Sequence, residues 1–381
     1  MSNVRAIRAA VLRTTGEPLR VEDVLLEPPG PEEVLVRVAA AGVCHSDLHL
    51  AQGHLGDGRW PIVLGHEGAG VVESVGDRVG HVRPGDPVAF CFVPSCGSCG
   101  SCLAGRRAMC VPAQAAAWAG TMLDGTSRLS FPDGRPIQHF NFISCFAERA
   151  VIPAGSAVPI PAGLPWLEAA LLGCSVVAGF GAVRNAANVA LGESVCVVGC
   201  GGVGLQVVAA ARLAEANPII AVDLDGAKLE RARARGATHF VQEVGPRAVA
   251  AVRSVVEDGV DHAFEVVGLA ETIRTAFEVL RPGATAIVVG LAPRGVEVSL
   301  PARDLIQEKG IRGSYYGSGD PAGDLAELAD IAAGGTLDLE GVVSHQTDLD
   351  GIEQAFERLR RGEGARTVVL MDPAAATTGV R

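Results

Sequence analysis

The pattern of hydrophobic and polar positions changes character near the middle of the chain. Up to about residue 180, short apolar runs with alternating polar positions are separated by turn-forming residues such as those at 29–31 and 83–86. A period of two is typical of strands with one buried face, and proline and glycine favour turns. We expect strands at 34–39, 70–75 and 87–92. The first part of the chain is therefore predicted to form a small, mostly β, barrel-like domain.

From about Glu193 onward, apolar runs alternate with segments of helical periodicity. Expected strands lie at 195–199, 219–223, 239–242, 261–267, 284–290 and 311–315. Expected helices lie at 202–215, 227–235, 272–280 and 324–333. Strands that alternate with helices along a chain form parallel βαβ units. This part is predicted to be α/β, with a doubly wound parallel sheet.

The chain has 381 residues, and single hydrophobic cores stop growing at about 250 to 300 residues. After about residue 318 a helix is expected at 352–361 and a last strand at 367–371, and we expect this tail to cross back to the first domain. The predicted domains are therefore 1–180 together with 318–381, and 181–317.

Charge and composition narrow the classes of partner. The formal net charge is −11, which argues against nucleic acid or an anionic membrane as partner. Residues 1–19 lack the apolar core of a signal peptide, and the apolar run at 169–183 is shorter than the roughly 20 residues of a membrane span. We expect a buried core segment there and a cytoplasmic protein, in which the ten cysteines serve some purpose other than disulfides.

A glycine-rich loop follows the predicted strand at 195–199 and opens a helix. Its sequence is Gly199-Cys200-Gly201-Gly202-Val203-Gly204. Glycines at these positions permit a tight turn, close approach of a pyrophosphate to the backbone, and close packing of helix on strand. Asp223 ends the next predicted strand, where a carboxylate binds ribose hydroxyls and repels a 2′-phosphate. The loop therefore predicts NAD in preference to NADP, although a strand–turn–helix without a ligand is the simpler alternative.

Four cysteines lie close together in one loop, at Cys96, Cys99, Cys102 and Cys110. Four thiolates at such spacing can occupy the corners of a tetrahedron around zinc, and a site without a water position is structural. Disulfide pairing is the alternative in an oxidising compartment. An iron–sulfur cluster is compatible with the spacing as well. We expect a structural zinc.

A second set of metal ligands is dispersed along the chain. Cys44, His66 and Cys174 together offer two thiolates and one imidazole, a ligand set that leaves a fourth position on zinc open. Asp47 and Glu67 are expected to orient or tune these ligands. Taken singly, Cys174 is more simply a buried inert thiol, and the pair at 66–67 could lie on the surface. Only the combination predicts a catalytic zinc.

These motifs together resemble the zinc-dependent medium-chain alcohol dehydrogenases, in particular the branch of liver-type enzymes and glutathione-dependent formaldehyde dehydrogenases. The resemblance spans nearly the whole chain. Its segments are GVCHSD at 42–47, GHEGAG at 65–70, the four-cysteine loop, GTMLDGTSR at 120–128 and VGCGGVG at 198–204. It implies a GroES-like catalytic domain and a Rossmann NAD-binding domain. It also implies two zincs in each subunit and a homodimer or homotetramer joined through the Rossmann sheet.

The resemblance assigns roles to individual residues. It makes Ser46 the hydroxyl that takes the proton of the alcohol and passes it through the cofactor ribose towards His49. His45 and Arg366 match positions near the cofactor pyrophosphate, and Asp223 and Lys228 match the adenosine-ribose end. A turn-capping hydroxyl is the simpler interpretation of Ser46 taken alone.

Further positions concern the substrate. By the resemblance Trp60, Phe92 and Phe140 line an apolar channel, and Asn141 makes part of it more polar. The run at 111–117 lacks the arginine with which formaldehyde dehydrogenases bind a glutathione carboxylate. The small hydroxyl residue usual near 177–178 is also absent. The expected substrate is an apolar or aromatic primary or secondary alcohol, or the corresponding aldehyde or ketone, and a glutathione adduct is disfavoured.

Two alternatives stay open. A relative of the same fold could be a specialised reductase or could recycle a nicotinamide that does not exchange. A non-catalytic NAD-binding sensor belongs to a different class, since a fold does not determine a function. Loss of a zinc ligand or of Ser46 or His49 would have favoured the sensor, and the sequence retains them all.

Overall fold

The computed structural model describes residues 4–56, 60–339 and 341–371. The chain divides into two compact units, one formed by Met1–Cys174 with Asp320–Arg381 and the other by Ser175–Gly319. The strands are β1 Arg5–Leu12, β2 Arg20–Leu26, β3 Glu33–Val43, β4 Ile62–Val63, β5 Glu67–Val75, β6 Pro87–Phe90, β7 Leu129–Ser130, β8 Pro136–His139, β9 Arg149–Pro153, β10 Ala157–Pro159, β11 Val195–Val198, β12 Ile219–Val222, β13 His239–Val241, β14 Val260–Glu265, β15 Leu280–Val288, β16 Gly310–Gly313, β17 Val343–Asp348 and β18 Arg366–Leu370.

Helices lie between and after these strands. The α-helices are α1 His45–Ala51, α2 Gly100–Leu103, α3 Val111–Ala119, α4 Trp166–Leu171, α5 Val177–Gly181, α6 Gly202–Leu213, α7 Gly226–Arg235, α8 Gly245–Val255, α9 Ala270–Glu278, α10 Ala302–Leu305, α11 Pro321–Ala333 and α12 Ile352–Arg360. Short 3₁₀ segments lie at Arg107–Met109 and Ala154–Ser156, and π-helical segments at Leu172–Val176 and Ala182–Ala187.

The first unit is mostly β. Five strands form a closed barrel in the order β1-β2-β7-β8-β4, and a second sheet has the order β10-β6-β5-β3-β18-β17, with β9 also paired to β3. Strand β3 is the longest, and almost all of its residues are buried because β5, β9 and β18 pair with it. Strand β18 brings the end of the chain back to this unit.

The second unit has the predicted parallel sheet. Its order is β13-β12-β11-β14-β15-β16, and every neighbouring pair is parallel. The order reverses direction beside β11, which is the topology of a doubly wound sheet and leaves a crevice at the carboxyl ends of the strands. The predicted fold class, a mostly β domain plus a doubly wound α/β domain, is confirmed.

Several elements differ from the prediction. Helix α8 was not predicted, although Pro246 at its first turn is a favourable helix start. The apolar run at 169–183 belongs to a longer helical segment, Trp166–Ala187, of 22 residues. This length would suffice to cross a membrane, but 83% of the most apolar window is buried inside the protein. The expectation of a core segment holds, whereas the expected length was too short because the helix continues through Glu168 and Arg184, the charged residues that bound the apolar run.

Candidate active site

The dispersed ligands Cys44, His66 and Cys174 lie together in the first unit. Strands β3 and β5 are antiparallel and pair Gly42 with Glu67, which places the ends that carry Cys44 and His66 side by side. Cys44 Sγ lies 4.0 Å from Cys174 Sγ, and Cys174 Sγ lies 3.4 Å from His66 Nε2. All three side chains are buried. The tertiary fold thus brings one sulfur from far along the chain to a pair that neighbouring strands hold.

This donor set fits zinc. The three ligand atoms lie within 4.8 Å of one another, and a tetrahedral zinc with Zn–S bonds of about 2.3 Å places its thiolates about 3.8 Å apart. Two thiols and an imidazole suit a soft, borderline cation better than calcium or magnesium. Three protein ligands leave the fourth position for a small oxygen ligand, which is the arrangement of a catalytic zinc.

The Asp47 carboxylate holds two ligand-bearing segments in place. Its Oδ1 accepts a hydrogen bond from the backbone N–H of Gly65 at 2.9 Å and lies 3.3 Å from His66 Nδ1. Its Oδ2 accepts from the backbone N–H of Cys44 at 3.1 Å. Burial opposes a charge on His66, but Asp47 and the Cys44 thiolate outweigh it and raise the pKa of the imidazole well above its usual value. Asp47 therefore directs His66 Nε2 towards the two sulfurs.

The two thiols of this cluster are not equivalent. A hydrogen bond from Cys174 lowers the pKa of Cys44 well below its usual value, with help from Arg366. The same contact and burial raise the pKa of Cys174. Cys44 is thus the first thiolate, and the second ligand loses its proton when a cation binds.

Glu67 and Arg366 form a buried pair beside the cluster. Arg366 Nη2 lies 3.1 Å from Glu67 Oε2, with both side chains at most 4% exposed. Arg366 Nη1 also donates to the carbonyl of Val43 at 3.2 Å. Burial raises the pKa of Glu67 to about 7, against the opposing effect of Arg366. Arg366 is thus held by Glu67 in this structure, and its contact with a pyrophosphate stays a prediction.

Helix α1 carries the predicted proton path. Ser46 Oγ lies 3.7 Å from Cys44 Sγ, and His49 lies one turn further along. Among the described residues, His49 Nδ1 is buried without a hydrogen-bond partner. His45, at the start of the helix, is exposed. His54 was not considered in the sequence analysis, yet its ring contacts His49 with the centroids 5.3 Å apart.

Two of the predicted substrate residues contact the metal cluster. The rings of Phe92 and Phe140 meet the His66 ring edge-on, at 5.2 Å and 5.3 Å between centroids. Asn141 has a φ of 48° and opens a segment with left-handed backbone, a conformation that asparagine tolerates better than most residues. Trp60 packs against the core of the first unit, partly buried.

The four-cysteine loop also fits zinc. The sulfurs of Cys96, Cys99, Cys102 and Cys110 lie within 4.8 Å of one another. Cys96 Sγ lies 4.0 Å from Cys102 Sγ, and none of the ten cysteines, all of which the structure describes, forms a disulfide. Backbone N–H groups from Ser98 and Cys99 lower the pKa of Cys96 to about 6. Four sulfurs complete a tetrahedron, so this site has no place for a substrate.

The glycine loop of the second unit fits a dinucleotide. Gly199 has a φ of 99°, and a Cβ at Gly204 would lie 1.9 Å from the Gly199 carbonyl oxygen. A Cβ at Gly201 would meet no described atom within 4 Å. No described neighbour requires glycine at Gly201, and the open space beside it at the start of α6 suits a phosphate.

Asp223 and Lys228 lie next to this loop. Asp223 Oδ2 accepts a hydrogen bond from the backbone N–H of Cys200 at 2.8 Å, and its Oδ1 accepts from Asp225 at 2.9 Å. Burial raises the pKa of the Cys200 thiol, and the positive charge of Lys228, on α7, opposes this rise. The carboxylate therefore lies beside the glycine loop at the end of β12, and its contact with the ribose hydroxyls stays a prediction.

Comparisons with known proteins find relatives of both units. The family model described as "Alcohol dehydrogenase GroES-like domain" matches residues 30–162, and that described as "Zinc-binding dehydrogenase" matches residues 202–334. The S-(hydroxymethyl)glutathione dehydrogenase of Paracoccus denitrificans is 36% identical over 95% of this chain and 99% of its own length. That of Escherichia coli O1:K1 / APEC is 37% identical with the same coverage of both chains.

Solved structures give the same result. An alcohol dehydrogenase zinc-binding domain protein from Burkholderia ambifaria has a TM-score of 0.90 and 34% identity, covering 97% of this chain and 100% of its own. The benzyl alcohol dehydrogenase of Acinetobacter calcoaceticus has a TM-score of 0.90 and 30% identity with the same coverage. The similarity thus extends over both units.

Proposed function

Because this chain belongs to the zinc-dependent medium-chain alcohol dehydrogenase family, we propose that it catalyses reversible hydride transfer between an alcohol and NAD. The alcohol loses a hydride to the nicotinamide and a proton to solvent, and becomes an aldehyde or ketone. The observation that carries the proposal is the cluster of Cys44, His66 and Cys174, a complete ligand set with one open position. A zinc ion bound there supplies Lewis-acid chemistry, since it lowers the pKa of an alcohol hydroxyl.

The residues of the chain supply alignment and a proton path. Asp47 holds the His66 ring and the backbone at Gly65 and Cys44, so the ligand geometry is set before any substrate binds. Ser46 is the proposed first acceptor of the alcohol proton. His49, whose Nδ1 has no hydrogen-bond partner among the described residues, is the proposed next one. The roles of Glu67, His45 and Arg366 near the cofactor are proposals of the same kind.

NAD is the proposed cofactor, bound at the glycine loop. The open space at Gly201 and the carboxylate of Asp223 support this choice. A 2′-phosphate would meet the negative charge of Asp223, so NADP is disfavoured. Lys228 is the proposed partner of the adenosine end.

The proposed substrates are apolar or aromatic primary or secondary alcohols. Phe92 and Phe140 surround the His66 ring with aromatic surface. Residues 108–123 contain no charged side chain, and the helix α3 within them exposes Val111 and Trp118. Such a segment has no cation with which to bind a glutathione carboxylate. The benzyl alcohol dehydrogenase is therefore a better guide to the substrate than the glutathione-linked relatives.

Steady-state NADH formation by the zinc-loaded protein tests this proposal. The panel contains aliphatic alcohols, benzyl alcohols and S-(hydroxymethyl)glutathione, with NADP as the control cofactor. We expect turnover with NAD and a higher kcat/KM for aromatic alcohols than for the glutathione adduct. Inactivity on the whole panel, in protein that holds both zincs, would contradict the proposal and favour a specialised reductase or a tightly bound nicotinamide.

We further propose a cytoplasmic homo-oligomer joined through the sheet of the second unit. Strand β16 ends that sheet, and the apolar side chains near it include Ile306, 85% exposed, and Ile311, 40% exposed. Burying such residues against a second copy would stabilise a dimer. Light scattering on the wild type and on Ile311→Asp tests this, with a fall in molar mass expected for the variant.

A further inference from the structure

The turn that ends helix α1 places an additional histidine on the proposed proton path. The helix has Gln52 as its C-cap, and Gly53 follows with a φ of 76°. The backbone N–H of Gly53 donates to Leu50 O at 3.0 Å, and that of His54 donates to His49 O at 2.8 Å. This pair of bonds is a Schellman motif, in which the residue after the left-handed position contacts the helix residue five positions earlier.

In most Schellman motifs that contact is between two apolar side chains, but here both side chains are imidazoles. The rings of His49 and His54 are 5.3 Å apart between centroids and almost perpendicular, at 89°. His49 is half-buried and His54 is exposed. His54 thus packs against the His49 ring and sets a second titratable group, on the more exposed side chain, beside it.

We propose that His54 is a positioning residue for His49, whose ring it holds in place and keeps free to accept the proton that leaves the alcohol. The proposal rests on the proposed dehydrogenase function. In the oxidation direction, the proton leaves the alcohol hydroxyl, forms an N–H bond on the His49 imidazole and then passes to water, while the hydride goes to the nicotinamide of NAD. A positive charge on His54 disfavours a second charge on a ring at this distance.

Among the described residues, the other groups near His49 do not supply this effect. Burial lowers the pKa of His49 and His54 lowers it further, whereas the Cys44 thiolate raises it. Helix α12 packs against α1, but its Glu353 is occupied by the backbone N–H of Leu19 and by Arg360. His45 lies farther away, with its ring centroid 6.4 Å from that of His49. Within the described part of the chain, His54 is thus the neighbouring side chain that adds to the effect of burial and keeps His49 neutral.

Two variants separate ring contact from charge. His54→Phe keeps an aromatic ring on His49 but cannot be protonated, and His54→Ala removes both. The measurement is an NMR titration of the ¹³C-labelled His49 ring in the zinc-loaded, NAD-free protein, with His49→Gln used for assignment. The pH dependence of kcat/KM is the second readout. His345→Phe, a change at a histidine on β17 far along the chain, is the matched control.

We expect His49 to titrate at higher pH in both variants and at the wild-type pH in the control. The acid limb of kcat/KM should move in the same direction, because a neutral His49 is then available only at higher pH. The proposal is overturned if His49 titrates at the wild-type pH in His54→Phe, whatever His54→Ala does, or if the shift is downward. A wild type without turnover would refute the proposed function instead, and the titration would still decide the role of His54.

Discussion

The two cysteine clusters of the first unit both fit zinc, but they are built in opposite ways. In the four-cysteine loop the ligands lie within 14 positions of one another along the chain, and Cys96 is exposed. In the other cluster Cys44 and Cys174 are 130 positions apart, and both are buried. A local loop can form around a metal by itself, whereas the dispersed cluster requires the whole unit to be folded first.

The groups that shift the pKa values of the ligands differ as well. In the loop, backbone N–H groups donate to the sulfurs, for example Cys99 to Cys96 Sγ at 3.3 Å. In the buried cluster, charged side chains act on the ligands, namely Arg366 on Cys44, Asp47 on His66 and Glu67 on Cys174. Backbone donors make a stable site, but their charge does not respond to a proton from a substrate. Side-chain charges, in a site with an open position, can respond to a substrate proton, and this distinguishes a catalytic centre from a structural one.

Removing one sulfur from the buried cluster should have the largest effect. We expect Cys174→Ser to lower kcat/KM by on the order of a thousandfold or more, because the ligand set that activates the alcohol is broken. Zinc should fall from two ions per chain to one, as the loop site is untouched. Metal analysis and steady-state kinetics on the same sample measure both.

The matched change in the loop is Cys99→Ser. Here the main loss should be in the free energy of unfolding, since binding of a structural zinc is coupled to folding of its loop. The comparison fails if Cys174→Ser unfolds as readily as Cys99→Ser, or if Cys99→Ser loses activity without losing stability.

Each cluster has a serine two positions after a cysteine, which offers a second test. Ser46 Oγ lies 3.7 Å from Cys44 Sγ, and Ser98 Oγ lies 3.7 Å from Cys96 Sγ. Ser46→Ala should lower kcat about a hundredfold, because the first proton acceptor is gone. Ser98→Ala should leave kcat within about twofold of wild type, since an exposed hydroxyl near a closed site takes no proton. Equal effects of the two changes would contradict the assigned proton path.

The third test concerns Asp47. Asp47→Asn keeps the shape of the side chain but removes the charge that orients and polarises His66. We expect zinc affinity at the buried cluster to fall about 10- to 100-fold, with the loop site unchanged. Competition with a fluorescent chelator resolves the two affinities, and a loss from the loop site instead would show that Asp47 acts on folding in general.

The smallest expected effect is in thiol reactivity of the metal-free protein. Because the pKa of Cys96 is lowered to about 6, its reactive thiolate should increase about tenfold between pH 5 and pH 7. Cys174 has a raised pKa and is buried, so it should stay unmodified over that range. Iodoacetamide labelling followed by peptide mass spectrometry measures both, and early labelling of Cys174 would contradict the contrast.

Much of the molecule was predictable because the signals are local. The spacing of the loop cysteines, the glycines around Gly201 and the alternation of strands and helices after Glu193 each depend on neighbours within a few residues. The predicted strands and helices of the second unit lie where the structure has them, apart from shifts at their ends. Helix α8 was missed although Ala248 and Val252, two of its buried residues, recur at helical spacing on one face.

Tertiary structure decided the rest, because it alone brings distant residues together. The sequence named Cys174 as a ligand only in combination with Cys44 and His66, and the fold places its sulfur beside them. The sequence placed Arg366 near a pyrophosphate, and the fold holds it against Glu67. His54 gave no signal of its own, since its contact with His49 depends on the left-handed turn at Gly53. Local spacing determined which groups are present, and long-range strand pairing and helix capping determined which of them meet.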